Sequence, residues 1–345
     1  MEARALAGML ARLSRSGEVT ALPEKARYLQ DYVECRTAAK GGRVLRCEDC
    51  GTYAVAYNAC NRRGCPVCSR KNQLNWQVKM KQRLLPTAHR HLVFTFPESF
   101  TEKWAKHPRA TVQELVRGTR KVIGKLEKQQ KLTLGTVIVF QSHCQGLAYK
   151  AHAHCVITDG GLDQDDQWQP LGTLPLAEMT RWLSKALGGS DDQKGWRIHE
   201  SRHEAGGEAV VQYLGQRLHG SVVAAQEVTE HENNRVEIQG RGGRVELSAP
   251  TFALRYLNHI PQKGTVLVRN CGLYSNRQKN RHEIARGQLK SEQKSPPPEW
   301  EERCPRCKGI MRTIMTSLMK PLEFDHERLG FGLDPPTHWE LSKAS

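Results

Sequence analysis

A chain of 345 residues with 52 Lys and Arg against 36 Asp and Glu carries a formal net charge of +16, and at ~100–200 residues per domain it holds two domains or three small ones. Only 38% of it is hydrophobic, with a mean hydropathy of −0.61, and no apolar run approaches the ~20 residues that a membrane span needs. Its eleven cysteines are odd in number and unevenly spread, which excludes a secreted disulfide scaffold; residues 1–17 also lack the apolar centre of a signal peptide. A soluble, cytoplasmic protein with a polyanionic partner, nucleic acid, is the class that remains.

In chain order, residues 1–14 read as a short amphipathic helix. Residues 22–75 are cysteine-rich and irregular, and end in a basic run of Arg62, Arg63, Arg70 and Lys71. Residues 91–96 (HLVFTF), closed by Pro97, read as a strand. Val112, Leu115, Val116, Val122, Ile123 and Leu126 recur at helical spacing, so about 110–130 is an amphipathic helix. Two further strands follow at 134–140 and 151–158, joined through a turn at Gly146, with Asp159-Gly160-Gly161 ending the second. Helices are expected over 176–187 and 208–219, a hairpin over 235–239 and 244–247, a Pro-rich linker near 296–298, and an acidic-basic tail after it.

Charge is not uniform along these elements. Residues 1–90 carry 17 basic and 7 acidic groups, residues 91–230 carry 16 of each, and residues 231–345 carry 19 against 13. Residues 255–290 alone hold eight basic groups against Glu283. Two basic flanks around a neutral middle suit phosphate contact on either side of a working domain; the alternative is a merely solubilising surface. The candidate DNA contacts are Arg62, Arg63, Arg70, Lys71, Arg277, Lys279 and Arg281.

Cys47-x2-Cys50 and Cys65-x2-Cys68 are two knuckles separated by 14 residues. Each aims two thiolates at one ion, and two knuckles complete a tetrahedral four-thiolate zinc site; a redox role for one pair, which would not explain the second so close by, or buried cysteines is the alternative. Structural zinc would stabilise a segment with few large apolar residues. Cys35 and Cys60 stay unassigned, and Cys304-x2-Cys307 is half a site whose partner is open, Cys271 or a histidine among the choices. Cys144, Cys155 and Cys271 read as structural singles.

Within AHAHCVIT, His152 and His154 lie two apart on a strand and so project from one face. Two imidazoles so placed can hold one divalent cation, though two packing histidines would show the same alternation. Tyr213 lies in the helix EAVVQYLGQRLH, with Gln216 and Arg217 on its face at i+3 and i+4. A tyrosine beside a cation and a metal can attack a phosphodiester; a helical tyrosine standing alone is ordinarily core or surface.

Taken in order, CEDCG with NACNRRGCPVC, HLVFTFPESF, AHAHCVITDGG, the YLGQRLHG helix and GLYSNRQKNRHEIARG resemble the rolling-circle insertion-sequence transposases, the HUH-endonuclease branch that carries an N-terminal zinc-binding domain. The resemblance spans about residues 20–310. It implies an α+β fold, with a small zinc-ribbon-like domain followed by an HUH-type antiparallel sheet with packed helices. The expected boundaries are 1–85 for a helical and zinc-binding DNA-binding domain, 86–230 for the nuclease and strand-transferase core, 231–295 for its basic extension, and 296–345 for a tail.

The resemblance further implies that His152 and His154 bind Mg2+ or Mn2+, with Gln216 as the first choice of third ligand and Gln141 as the second. Tyr213 would form a 5′-phosphotyrosine link to single-stranded DNA, with Arg217 near the phosphate. The DNA would be single-stranded or hairpin element ends, bound by a nucleoid-associated enzyme, with Tyr53, Tyr57 and Trp76 available to stack on bases. This chain departs from the family at three places. Arg217 stands where some members carry a second tyrosine, which makes it a single-tyrosine type. Gly64 and Lys150 stand where histidines are common. A non-catalytic zinc-ribbon DNA-binding protein is the alternative to an enzyme, and a plasmid replication initiator or relaxase would share the chemistry without the cysteine cluster.

Overall fold

The computed structural model describes residues 1–20, 23–189, 194–204, 211, 215, 222–240, 243–289 and 302–317. The chain opens with α1 (Ala3–Arg15) and α2 (Pro23–Glu34), a two-stranded ribbon of β1 (Gly42–Cys47) and β2 (Tyr53–Tyr57), and α3 (Ser69–Arg83). The centre follows as β3 (His89–Thr95), α4 (Glu98–Lys106), α5 (Pro108–Gln130), β4 (Thr133–His143), β5 (Tyr149–Leu162), β6 (Trp168–Pro170), α6 (Leu176–Ala186) and β7 (Arg197–Glu204). Next come β8 (Val228–His231), β9 (Arg235–Gly240), β10 (Gly243–Ser248), α7 (Ala249–His259), β11 (Val268–Gly272) and α8 (Lys279–Gln288). The last described elements are β12 (Glu302–Arg303) and β13 (Ile310–Ser317). The expected α+β class is the one observed.

Every pairing in the central sheet is antiparallel, in the order β11-β4-β5-β3-β7, with β6 on β5. Alternation along the strands gives the sheet two different faces. One presents Leu92, Phe94, Ile138, Phe140, Ala153, Cys155 and Ile157 to α4, α5 and α6, and forms a core with Leu115, Leu126, Met179 and Leu183. The other presents Val137, Val139 and Val156 to α3 and α8, through Met80, Leu84 and Ala285. The apolar repeat seen at 112–126 is the buried stripe of α5.

β5 runs on through Asp159-Gly160-Gly161 to Leu162, so these residues do not end the strand as expected. Their glycines serve close approach instead. A Cβ at Gly160 would strike the Trp168 indole, and one at Gly161 the Thr133 carbonyl.

The N-terminal helices do not stand apart from the later chain. Leu6, Leu10 and Leu13 of α1 and Tyr32 of α2 share one core with Val236 and Ile238 of β9 and with Phe252, Tyr256 and Leu257 of α7. Two buried tyrosines of this core pin the loop before Cys65: the Tyr256 hydroxyl donates to the Gly64 carbonyl at 2.6 Å, and Tyr32 donates to the Arg63 carbonyl. Gly64 has φ +75°, and a Cβ there would press on Ile260 and the Tyr32 hydroxyl; this is the physical reason glycine occupies that position. Tyr256→Phe leaves the Gly64 carbonyl unmet and is expected to lower stability by ~1–3 kcal/mol in chemical denaturation.

The segment expected to be a tail returns to the N-terminus. β13 lies antiparallel to β1, with Gly42 opposite Ser317 and Cys47 opposite Met311, giving a sheet of order β12-β13-β1-β2. Residues 208–219, apart from Val211 and Gly215, and the Pro-rich linker lie outside the described residues.

Candidate functional site

Antiparallel register sets Gln141 of β4 directly opposite His152 of β5, and Val139 opposite His154. All four side chains therefore project from the face that carries α3 and α8. The Nε2 atoms of His152 and His154 both lie 3.0 Å from Gln141 Oε1, with the two rings edge-on at 83°. His154 and Gln141 are each 4% exposed, whereas His152 is half-buried. The cluster thus has a closed side and an open side.

Ring tautomers sharpen the chemistry. The His152 Nδ1 is 2.9 Å from the Lys150 carbonyl, which can only accept, so Nδ1 carries the hydrogen and Nε2 presents a lone pair. That lone pair faces the Gln141 oxygen, another acceptor. The Gln141 Nε2 is buried without a hydrogen-bond partner. Two lone pairs at 3.0 Å repel unless a cation lies between them or the amide is turned over. Cis ligands in an octahedron of radius ~2.1 Å are ~3.0 Å apart, so a hard divalent cation fits this set of two imidazoles and one amide oxygen.

Behind the pair, His91 Nε2 lies 2.9 Å from His154 Nδ1 and fixes that ring from the sheet side. His91 was not among the residues singled out in the sequence. The alternation His89-x-His91 on β3 was its signal, but only the pairing of β3 with β5 brings it to His154. The neighbouring strand adds two more groups, because Arg197 and His199 of β7 lie opposite Thr95 and Val93 of β3. Burial, followed by the charge of Arg197, lowers the His199 pKa. His89, farther along the face, is pushed down to about 4 by burial and is held 2.6 Å from the Tyr274 hydroxyl.

Tyr213, Gln216 and Arg217 lie outside the described residues. Val211 and Gly215, on either side of Tyr213, are buried. Val211 belongs to the core that covers the histidine-bearing face, and Gly215 lies against Gln77 of α3 so closely that no Cβ would fit.

The cysteines are divided differently from the expectation. Cys47, Cys50, Cys65 and Cys68 do not form one site. Cys65 and Cys68 join Cys35 and Cys60, and Cys47 and Cys50 join Cys304 and Cys307, with all four sulfurs of each group within 4.8 Å of one another. The reason is topological: β1 and β2 turn the first knuckle towards β13, while α2 and the start of α3 close the other group into the core beneath α1 and α7. Spacing alone pairs the nearest knuckles and cannot register a partner more than 250 residues away.

In the first group Cys35, Cys65 and Cys68 are buried, and the Cys60 amide donates to Cys35 Sγ at 3.4 Å. Hydrogen bonds from the thiols of Cys60, Cys65 and Cys68 hold Cys35 well below its ordinary pKa, and the same contacts push Cys65 up. A site of this kind accommodates several thiolates only around a cation.

The basic candidates also separate. Arg281 is committed to the protein itself: Nε is 2.5 Å from Asp166 Oδ1, Nη1 2.8 Å from Thr133 Oγ1 and Nη2 2.8 Å from the Asp163 carbonyl. Arg62 pairs with Asp31 at 2.6 Å and lies over the Tyr28 ring, and Arg63 donates to the Thr265 carbonyl at 2.7 Å. Lys71 is half-buried, and burial lowers its pKa. Arg70, Arg277 and Lys279 are exposed. α3 meets α8 through Arg286, which donates to the Gln82 carbonyl at 2.9 Å, and meets the turn before α8 through Arg83, which donates to Asn276 at 2.8 Å. The two basic flanks, distant in sequence, thus join on the face that bears the histidines.

Of the aromatics offered for stacking, Tyr53 is 39% exposed, while Tyr57 and Trp76 are half-buried, with Trp76 packed against the core under α3. Arg70→Ala and Lys279→Ala are each expected to reduce the slope of log affinity for DNA against log salt by ~1. Arg281→Met should leave that slope unchanged and lower the melting temperature, both read on the same protein preparations.

Two family models match the sequence, one described as "Transposase zinc-binding domain" over residues 9–96 and one described as "Putative transposase" over residues 135–187 and 176–282. The chain is 26% identical over 304 residues to "Putative transposase y4qJ" of Sinorhizobium fredii (strain NBRC 101917 / NGR234), a match covering 75% of this chain and 76% of that protein. It is 25% identical over 290 residues to "Transposase for insertion sequence element IS801" of Pseudomonas savastanoi pv. phaseolicola, covering 70% of this chain and 68% of that protein. No solved structure matches the chain. The zinc-binding match contains all of Cys35, Cys60, Cys65 and Cys68, and with the cysteine clusters it supports structural Zn2+. Among the described residues, no helix is long and apolar enough to cross a membrane.

Proposed function

Because the chain belongs to the IS91/IS801 family of transposases, we propose that it nicks and rejoins single-stranded DNA at the ends of its element through a 5′-phosphotyrosine at Tyr213. The observation that carries this reading is the convergence of His152 Nε2 and His154 Nε2 on Gln141 Oε1. These three groups would hold Mg2+ or Mn2+. Gln141 is the third ligand of this reading, because its oxygen lies 3.0 Å from both rings, while Gln216 lies outside the described residues. When bound, such an ion polarises the scissile phosphate as a Lewis acid.

The remaining work falls to the chain itself. Tyr213 attacks phosphorus, its phenolic oxygen gains the 5′-phosphate, and the 3′-oxygen leaves as a hydroxyl. Rejoining reverses the exchange, when a 3′-hydroxyl attacks the phosphotyrosine and releases the phenol. Arg217, four residues on in the sequence, would neutralise phosphate charge. Support for this arrangement comes from Val211 and Gly215, buried on the same side of the sheet as the histidines. His91 acts as a positioning residue that orients the His154 ring. The exposed cations Arg70, Arg277 and Lys279 would track the strand's phosphates. Cys35, Cys60, Cys65 and Cys68 would hold the structural zinc.

The test is an SDS-stable protein–DNA adduct, formed with labelled single-stranded DNA carrying an element end. It should appear with Mg2+ or Mn2+ and vanish with EDTA. Replacing both His152 and His154 by Ala should abolish it, and His91→Ala should raise the metal concentration required by ~10–100-fold. Binding of the same DNA with no adduct under any metal condition would leave a DNA-binding protein without catalysis.

A further inference from the structure

We propose that Cys47, Cys50, Cys304 and Cys307 hold a second zinc ion, which clasps the end of the described chain onto the N-terminal sheet. Sulfur separations of 3.4 Å for Cys47–Cys307, 3.6 Å for Cys50–Cys304 and 3.3 Å for Cys50–Cys307 lie near the ~3.8 Å edge of a tetrahedron with Zn–S of ~2.3 Å. None of these cysteines is in a disulfide. Cys304 and Cys307 lie beyond the last residue matched by either family model, so the zinc-binding match does not account for them.

Both halves are built to the same plan. After Cys50, Gly51 turns to φ +72° and its amide donates to the Cys47 carbonyl at 3.2 Å. After Cys307, Lys308 turns to φ +65° and its amide donates to the Cys304 carbonyl at 2.9 Å. A left-handed turn is unfavourable for lysine, and at Lys308 it closes the knuckle. The halves interlock: the Glu48 amide donates to the Ile310 carbonyl at 3.0 Å, and Gly309 lies against the Asp49 carboxylate, which a Cβ there would displace.

The sheet also needs a cross-link. Among the described residues, the core cluster of this sheet holds Leu45, Ala54 and Met311 besides Cys47 and Cys304, with Ala56 partly buried beside them, little apolar surface with which to order residues 302–317. A four-thiolate ion supplies the missing stabilisation. Cys50 and Cys307 are exposed, whereas three ligands of the first group are buried. A chelator therefore reaches the clasp first.

Zinc release from the full chain into a colorimetric chelator is the test, with cysteine alkylation mapped by mass spectrometry at intervals. Two zinc ions per chain are expected, released in a fast and a slow phase. Cys47, Cys50, Cys304 and Cys307 should become alkylated together in the fast phase, and Cys35, Cys60, Cys65 and Cys68 in the slow one. Trypsin should gain access to Arg306, Lys308 and Arg312 with the fast phase. The Cys304→Ser, Cys307→Ser double variant should hold one zinc and show the slow phase alone. One zinc per chain in the wild type, or alkylation of Cys304 and Cys307 before any zinc leaves, would overturn the proposal, and so would two zinc ions retained by the double variant.

Discussion

Tyr213→Phe is expected to lower the rate of nicking by ~10^3-fold or more and to remove the covalent adduct, while binding of single-stranded DNA stays within about twofold. The magnitude follows from losing the nucleophile itself, for which a rate loss of ~10^6 is known in a hydrolase that acts through a covalent intermediate. Affinity should survive because phosphate contacts from exposed cations such as Arg70, Arg277 and Lys279 do not depend on the phenol. Parallel measurement of filter binding and cleavage on one preparation separates the two. A variant that lost binding and cleavage together would point to a packing role for Tyr213 instead.

The second large effect concerns the buried cysteine group. Zinc bound by four thiolates contributes ~10–16 kcal/mol of folding free energy in small domains, comparable to the whole stability of an ordinary domain. Cys35, Cys65 and Cys68 lie inside the core that α1, α2, β9 and α7 share. Cys65→Ser is therefore expected to disrupt this whole layer rather than a local loop. Hydrogen exchange should show loss of protection over residues 23–34 and 249–259 together, with residues 112–126 of α5 far less affected. A variant that kept wild-type protection in α7 would contradict the shared-core account. Loss of the Cys304 and Cys307 ligands, by contrast, should leave both regions protected.

Local patterns in the sequence carried much of the fold. Alternation in AHAHCVIT marks β5 and its two faces, and the stripe from Val112 to Leu126 marks α5, because both signals come from residues adjacent on a single element. What depends on pairing between distant segments was less visible. Gln141 stood only second as third ligand until the β4–β5 register set it opposite His152, and His91 emerges only from the β3–β5 register. Glycines at 160 and 161 look like a strand end until the Trp168 indole and the Thr133 carbonyl are seen against them.

The cysteines make the same point with greater consequence. Two knuckles 14 residues apart invite pairing with one another, yet β1 and β2 carry the first away to meet Cys304 and Cys307, while Cys35 and Cys60 complete the second. Arg281 shows the converse. Its place in a basic run suggests phosphate contact, and its three bonds to Asp166, Thr133 and Asp163 show a cation used to fasten α8 to the β5–β6 turn. Charge in sequence counts the cations available, and only packing tells which of them face outward.

The proposed role of Tyr213 as carrier of the cleaved strand is tested most directly by digestion of the covalent adduct. Nuclease treatment followed by trypsin should yield residues 203–217, HEAGGEAVVQYLGQR, in which Tyr213 is the only tyrosine, heavier by a nucleotide remnant and formed only with Mg2+ or Mn2+. A remnant on any other residue, or an adduct that forms equally with His152 and His154 replaced by alanine, would contradict it.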